Sequence, residues 1–295
     1  VTDAVWIDTD MGVDDLLAIE ALRVHRNIAG LSLSFGCAPL PRAIENAYGA
    51  AEALGWEFPV TRGAARPILG AMETAERILG PRGLPTRGQT LPVGSGEPNC
   101  ATDAMAAWVR QGGQEILALG PLSNLAALAL AHPDVSLPQI TWMGGSLGPG
   151  NHTAHAEFNA LADPLALAVL LERGVRIRMV DLEACRKVQI TEPDVTRVAG
   201  SDHPRATLIA DLLGGYLDIG LSRGRGSMAL YDPVAAAVVA APHMFRLVPA
   251  TLAVDLDGTV RGRTRVVPDT PDPTAAIIPD LDAEAVRDWF ISSLV

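Results

Sequence analysis

Short runs of β-branched and apolar residues alternate with helix-period stretches along most of the chain, and this alternation constrains the fold more than any other feature. Residues 4–7 read as a strand, 14–25 as an amphipathic helix, 28–35 as a second strand and 41–54 as the next helix. The rhythm resumes with helix 102–110, strand 115–119, helix 122–131, strand 139–143, helix 164–173 opening on Pro164, and strand 175–181. Helices follow at 205–221 and 232–241, and an amphipathic one closes the chain at 283–294. Between 251 and 267, two β-like runs flank Asp257-Gly258, the residue pair of a type I′ hairpin turn. Strands separated by helices pair in parallel, so the expectation is α/β: a single domain over 1–295, with a Rossmann-like open, mostly parallel sheet and helices on both faces. With 48% hydrophobic residues in 295, the chain can fill the core this needs. The stretch 64–99 is rich in Gly and Pro without periodicity and reads as a long loop region able to wall a pocket.

Charge narrows the partners. Against 34 acidic residues stand 23 basic ones, a net charge of −11, which lacks the footprint of a protein for polymeric nucleic acid or anionic membranes. A small neutral or cationic ligand fits better. Lys187 is the only lysine, so no Gly-Lys-Ser/Thr phosphate loop exists and ATP chemistry of that kind is excluded. Cys37, Cys100 and Cys185 are odd in number and far apart, which suits reduced thiols better than disulfides or a CxxC metal site. No basic segment opens the sequence and no apolar run approaches the roughly 18 residues of a membrane helix. The expectation is a soluble cytoplasmic protein.

Four carboxylates fall within eight residues where the first strand gives way to a helix: Asp8-Thr9-Asp10-Met11-Gly12-Val13-Asp14-Asp15. Helix capping and first-turn acids account for Asp14 or Asp15 but not for Asp8 and Asp10. Ligands of open α/β sheets bind beyond the carboxyl ends of strands, and a divalent cation there would relieve the repulsion. Oxygen-only donors favour Ca²⁺ or Mg²⁺ over zinc. Gly12 is expected to let the loop turn tightly. His152 and His155, three apart, keep a zinc reading open, although no cysteine or acid sits at zinc spacing around them.

A second polar cluster follows Met143-Gly144-Gly145, where Asn151, Glu157 and Asn159 share one loop. Amides that donate and accept, beside a carboxylate that accepts, suit hydroxyl groups and hence a sugar; a solvated loop with Asp163 capping the next helix is the plainer reading. Asp232, before an Ala-rich helix, needs no role beyond capping unless it joins the other acids. Two rival motifs stand out. Gly144-Gly145-Ser146-Leu147-Gly148 matches a GxSxG nucleophile elbow, with Asp181 and His203 or His243 as partners, but Pro149-Gly150 follows where a helix should begin. Val254-Asp255-Leu256-Asp257-Gly258-Thr259-Val260 resembles the aspartyl-phosphate motif of haloacid-dehalogenase-like phosphatases, yet too little chain follows to build that fold.

The segment 8–15 resembles the N-terminal DxDxGxDD signature of the calcium-dependent nucleoside hydrolases, the inosine-uridine-preferring nucleoside N-ribohydrolases. Other blocks agree in order: Leu119-Gly120-Pro121-Leu122-Ser123-Asn124 with the central G-P-L-T-N block, Met143-Gly144-Gly145 and 151–159 with M-G-G…N…A-E-F-N, and Asp232-Pro233 with the late Asp. The resemblance implies the nucleoside hydrolase fold and hydrolysis of ribonucleosides to base and ribose, in an assembly of two or four copies. It implies Ca²⁺ held by Asp10, Asp15, Asp232 and the Leu119 carbonyl, with the attacking water and the ribose 2′- and 3′-hydroxyls completing the shell. Asp10 would be the general base, Asp14 would orient the water or 2′-OH, Asp8 would support the loop, and Asn151, Glu157, Asn159 and Met143 would bind the sugar. Such chemistry passes through an oxocarbenium-like state, which an acidic pocket suits.

Departures concentrate on the leaving-group side. Tyr231 stands where many members have a histidine that protonates the base, Cys37 where Gly-Asn is usual, Cys185-Arg186 in a late Thr-His region, and Leu79 in a base-pocket stretch, 75–80, that lacks its histidine. Tyr231 is suited to donate a proton, to stack on the base, or only to pack a helix end. An altered base preference follows, with Arg77, Arg223 or Arg225 as candidate base contacts and a solvated basic loop as the plainer reading of the Arg-Gly-Arg-Gly run. A protein that binds Ca²⁺ and sugar without turnover is the non-enzymatic alternative.

Overall fold

The apolar run after residue 3 becomes the central strand, and the acidic loop hangs from its end. The computed structural model describes residues 4–268 and 270–295. In chain order it contains strand β1 (Ala4–Thr9), helix α1 (Val13–Leu22), β2 (Asn27–Leu33), α2 (Leu40–Leu54), β3 (Val60–Arg62), the one-turn α3 (Glu76–Leu79), β4 (Asn99–Cys100), α4 (Ala101–Arg110), β5 (Glu115–Ala118), α5 (Ser123–Ala131) and β6 (Gln139–Met143). Then come α6 (Phe158–Ala162), α7 (Pro164–Glu172), β7 (Ile177–Val180), α8 (Leu182–Cys185), β8 (Gln189–Ile190), α9 (Glu192–Ala199), α10 (Ala206–Leu221), β9 (Met228–Ala229), α11 (Asp232–Ala240), β10 (Phe245–Val254), β11 (Thr264–Val267), β12 (Ala275–Leu281) and α12 (Ala283–Ser293).

Ten strands form one sheet in the order β11-β10-β12-β7-β6-β5-β1-β2-β3-β4. All pairs from β12 to β4 are parallel, and β10 runs antiparallel to β11 and β12. β8 and β9 make a separate antiparallel pair. Alternation along β1 sends Val5 and Ile7 into the apolar cluster shared with α1, α10 and α11, and Trp6 into the opposite cluster under α4, α5 and α7. Helices therefore cover both faces, as the alternating pattern requires. No helix among the described residues is long and apolar enough to cross a membrane.

The chain leaves β1 toward β2, β3 and β4 on one side, then returns to place β5 on the other. The strand order reverses at β1 and β5, and the diverging loops leave a crevice at their carboxyl ends. A buried tie holds the crevice in shape. Asp8 accepts from Ser32 Oγ, its neighbour across the β1–β2 register, and from Asn124 Nδ2 at 2.7 Å. Asn124 also donates to the Leu33 carbonyl (3.1 Å) and accepts from the Ala64 amide (2.6 Å), joining α5 to β1, β2 and the long loop. Asp8 is thus bonded into the sheet and α5 and does not line the cavity.

Most expected elements form within a few residues of their sequence limits. The region near Asp257-Gly258 departs from expectation. β10 and β11 pair as antiparallel strands, but residues 255–263 connect them through a 3₁₀ turn at Gly258–Val260 instead of a two-residue type I′ turn. The Asp255–Arg263 pair (2.7 Å) and the bond from Gly262 N to Asp255 O (2.7 Å) close this wider loop. Strand β12, the first half of β10 up to Pro249, helix α9 and the short α6 and α8 lie outside the elements expected from sequence, α9 despite the Thr191–Asp194 capping box that opens it. Pro249 is tolerated because β10 lies near the sheet's antiparallel edge.

Replacing Asn124 with leucine should lower the unfolding free energy by about 3 kcal/mol, because buried partners on three segments lose their bonds. Urea denaturation of both proteins measures it, and a change well below 1 kcal/mol would contradict the role.

Candidate active site

The acidic loop is knotted around Asp15. Thr9 Oγ1 donates to Asp15 Oδ1 at 2.5 Å, while the amides of Asp10 (3.3 Å) and Gly12 (3.0 Å) donate to the same carboxylate. Met11 N donates to Thr9 Oγ1 at 3.0 Å. The left-handed backbone falls on Met11, at φ 54°, and not on Gly12, which is extended; the turn expected of Gly12 is made one residue earlier. Asn46, fully buried on α2, holds this conformation by donating to the Met11 carbonyl at 3.1 Å. Gly12 serves close packing instead, since a Cβ there would fall on Cys37 Sγ. Gly36 has a matching role, because a Cβ there would overlap the Asp10 carboxylate.

Asp232, 217 residues beyond Asp15, reaches the same point because α11 packs against α1. It is the first residue of α11 and no capping bond is formed by its side chain, so capping does not explain it. Single carboxylate oxygens of Asp14, Asp15 and Asp232 lie within 4.8 Å of one another, as do ligand atoms of Asp10, Asp15 and Cys37. Asp10 Oδ2 accepts from the Cys37 amide at 2.7 Å, but its Oδ1 is buried without a hydrogen-bond partner. Burial, then the charge of Asp15, pushes the Asp10 and Asp232 carboxyls well above the usual range, and the same causes bring Asp14 up to about 7. Hard, crowded oxygens and one orphaned buried atom fit a divalent cation. Leu119 lines the same cavity, where β5 ends beside β1. Cys37 packs beside them with Sγ 3.9 Å from Asp15 Oδ2; burial and the acidic neighbours raise its thiol well above 9, so it stays neutral.

Glu157 and Asn159 form the adjoining polar surface. Glu157 caps α6 by accepting from Asn159 N (2.8 Å) and Ala160 N (3.0 Å), and it also accepts from Gly145 N (2.8 Å). Desolvation outweighs these bonds and lifts its carboxyl to about 7. The Asn159 amide nitrogen donates to the carbonyls of Leu119 (2.9 Å) and Met143 (3.0 Å), tying β5, β6 and α6 together. Asn151 Oδ1 accepts from Phe158 N at 3.0 Å and folds the loop back on itself.

One cavity of about 750 Å³, its open mouth included, collects every ligand-facing residue expected from sequence: Asp10, Asp14, Asp15, Cys37, Leu79, Leu119, Met143, Asn151, Glu157, Asn159, Tyr231 and Asp232. Arg223 joins them, whereas Arg77 and Arg225 do not. Tyr231 is mostly buried, and burial followed by the nearby Cys185 raises its phenol above the ordinary 10. Sequence reasoning missed Tyr216, Ile219, Met228 and Phe158. Tyr216 is the one with a signal, a tyrosine inside an apolar helix pattern, where its OH must find a partner; it donates to Ala229 O at 2.8 Å and interacts with Asp14.

The rival motifs dissolve. Ser146 Oγ donates to Pro149 O at 3.0 Å, Asp181 caps α8, and the first helix after the serine, α6, begins only at Phe158, so no elbow exists. Residues 254–260 are the β10–β11 connection. No His-containing metal cluster occurs among the described residues.

Fold and cavity define an α/β enzyme whose crevice offers buried carboxylates and amides to a small polyhydroxylated ligand. Residues 5–288 match the family model for inosine-uridine preferring nucleoside hydrolase. The chain is 29% identical to the pyrimidine-specific ribonucleoside hydrolase RihA of Citrobacter koseri and 28% to that of Shigella flexneri, each over 98% of this chain and 97% of the relative. Among solved structures, a plant nucleoside hydrolase, PpNRh1, superposes with a TM-score of 0.91 at 26% identity, covering 100% of this chain and 99% of that one. A purine-preferring ribonucleoside hydrolase from Gardnerella vaginalis shares the fold at TM-score 0.91 and 24% identity, over 99% and 98% of the two chains. The chain belongs to the inosine-uridine preferring nucleoside hydrolases. It is a hydrolase of the N-glycosidic bond of ribonucleosides, which removes the purely sugar-binding alternative.

Because burial and the charge of Asp15 raise Asp14 to about 7 and Asp10 and Asp232 well above the usual carboxylate range, a divalent cation entering the cluster must displace protons. Cation affinity should therefore rise with pH, with net proton release on binding. Calorimetry in two buffers of different ionisation enthalpy reads the release; identical heats in both would contradict it.

Proposed function

We propose that this enzyme hydrolyses ribonucleosides with Ca²⁺ as its resident cation, held by Asp10, Asp15, Asp232 and the Leu119 carbonyl. The observation that carries the reading is the orphaned, buried Asp10 Oδ1 among those oxygens, on the floor of a cavity also lined by Glu157 and Asn159. A cation there supplies Lewis acidity toward the attacking water and an anchor for vicinal hydroxyls.

The chain's own groups supply the rest. Asp10, with Oδ2 fixed by the Cys37 amide, takes the water's proton as the water attacks C1′. Asp14 orients the water or the 2′-OH. Glu157, Asn159, Asn151 and the Met143 segment hold the remaining ribose hydroxyls, and rigid bonds to Gly145, Leu119 and Met143 keep them in place. The buried acids favour the positive charge that develops on the sugar. Cys37 and Leu79 border the substrate, and Tyr231 closes the pocket against the base. Its raised phenol pKa makes Tyr231 a poorer acid than a free tyrosine, which supports packing over proton donation. The names of the curated relatives make pyrimidine nucleosides the first substrates to try. The family reading brings with it a homodimer or homotetramer working in the cytoplasm, which light scattering and cell fractionation test.

Incubation with purine and pyrimidine ribonucleosides, with Ca²⁺ or a chelator, should release free base and reducing sugar only when the cation is present. Asp10→Asn should lower kcat by a factor of about 10² to 10⁴, the usual span of general-base help. Tyr231→Phe should leave kcat near the wild-type value. Full turnover in Asp10→Asn or in chelator would overturn the reading, and a large loss in Tyr231→Phe would restore the phenol as a proton donor.

A further inference from the structure

The cavity contains one imidazole that the mechanism above leaves unused. His152 lines it from the loop after β6, and its Nε2 lies 3.0 Å from Glu73 Oε2 on the long loop. The ring meets Phe158 edge-on, with centroids 5.3 Å apart. Glu73 comes two residues before Ala75, and Ala75, Ile78, Leu79 and Phe158 make the apolar side of the cavity. The bond to Glu73 sets His152 beside the start of the 75–80 stretch, which is expected from sequence to border the base. Its side chain is 17% exposed, so it is shielded yet within reach of a ligand.

We propose that His152 is the general acid that protonates the departing nucleobase, with Glu73 as its positioning residue. This rests on the reading of the cavity given above. As the C1′–N bond breaks, its electron pair goes to the base nitrogen, and the base takes a proton from His152 Nδ1, the nitrogen that Glu73 leaves free. Water supplies hydroxide to C1′ and its proton to Asp10. The neutral imidazole keeps Nε2–H on Glu73, and transfer of the Asp10 proton through solvent restores the starting state. A carboxylate partner on Nε2 fixes the ring's orientation and leaves Nδ1 to face a ligand.

The test compares a nucleoside with p-nitrophenyl riboside, whose leaving group departs without a proton. His152→Ala should reduce kcat/KM on the nucleoside by about 10²-fold or more while p-nitrophenyl riboside is hydrolysed at close to the wild-type rate. Glu73→Gln should give a smaller loss of the same selective kind, and His152→Gln, which keeps the contact to Glu73, should behave like His152→Ala. Equal losses on both substrates, or none on either, would overturn the assignment. Wild-type protein inactive on both substrates with Ca²⁺ present would instead overturn the reading of this cavity as the site, and His152 with it.

Discussion

Mutual repulsion among buried carboxylates is the constraint on which the rest of this structure depends. Asp10, Asp14, Asp15 and Asp232 crowd one crevice, and burial alone would favour their neutral forms. The fold holds them there with a network of short, buried bonds. Thr9 and the amides of Asp10 and Gly12 surround Asp15, the Cys37 amide fixes Asp10, and Asn46 pins the left-handed Met11 between them. Each bond satisfies a group that water would otherwise have to reach, so the charges stay poised for a cation and for a sugar cation in turn.

The cavity divides by chemistry. Its floor consists of carboxylates, amides and carbonyls at the ends of β1, β5 and β6, all on rigid elements tied to one another by Asn124 and Asn159. Its other side comes from the long loop, from the end of α10 and from the segment before α11. On the proposed reading, the ribose is held by residues at the strand ends and the base by irregular backbone, which is free to vary without disturbing the floor.

Several features of the site follow from contacts between distant segments. Gly12 and Gly36 are required because Cys37 Sγ and the Asp10 carboxylate pass where a Cβ would stand, a reason invisible in a sequence pattern that suggests only a turn. The Asp257-Gly258 pair predicts a tight hairpin, and the Asp255–Arg263 pairing opens it into a wider loop. His152 and Glu73, 79 residues apart, meet only because the long loop folds back over the cavity. The zinc reading of His152 and His155 depended on sequence spacing alone, and the fold turns His152 toward a carboxylate and an aromatic ring instead.

From the sequence alone came the alternation of strands and helices, hence the parallel sheet, and the two polar clusters, DTDMGVDD and Asn151 with Glu157 and Asn159; the family resemblance added Leu119 and Asp232. These were legible because a covered parallel sheet imposes local periodicity, and because four carboxylates in eight residues have few purposes that capping does not already serve. Only the tertiary structure decided which of those acids meet, that Asp8 turns away to Ser32 and Asn124, and that Tyr216, Phe158 and His152 line the cavity. The reason is physical. Side chains separated by up to 218 residues are brought within a few ångströms by helix packing and by the reversal of strand order at β1 and β5, and no local pattern encodes that meeting.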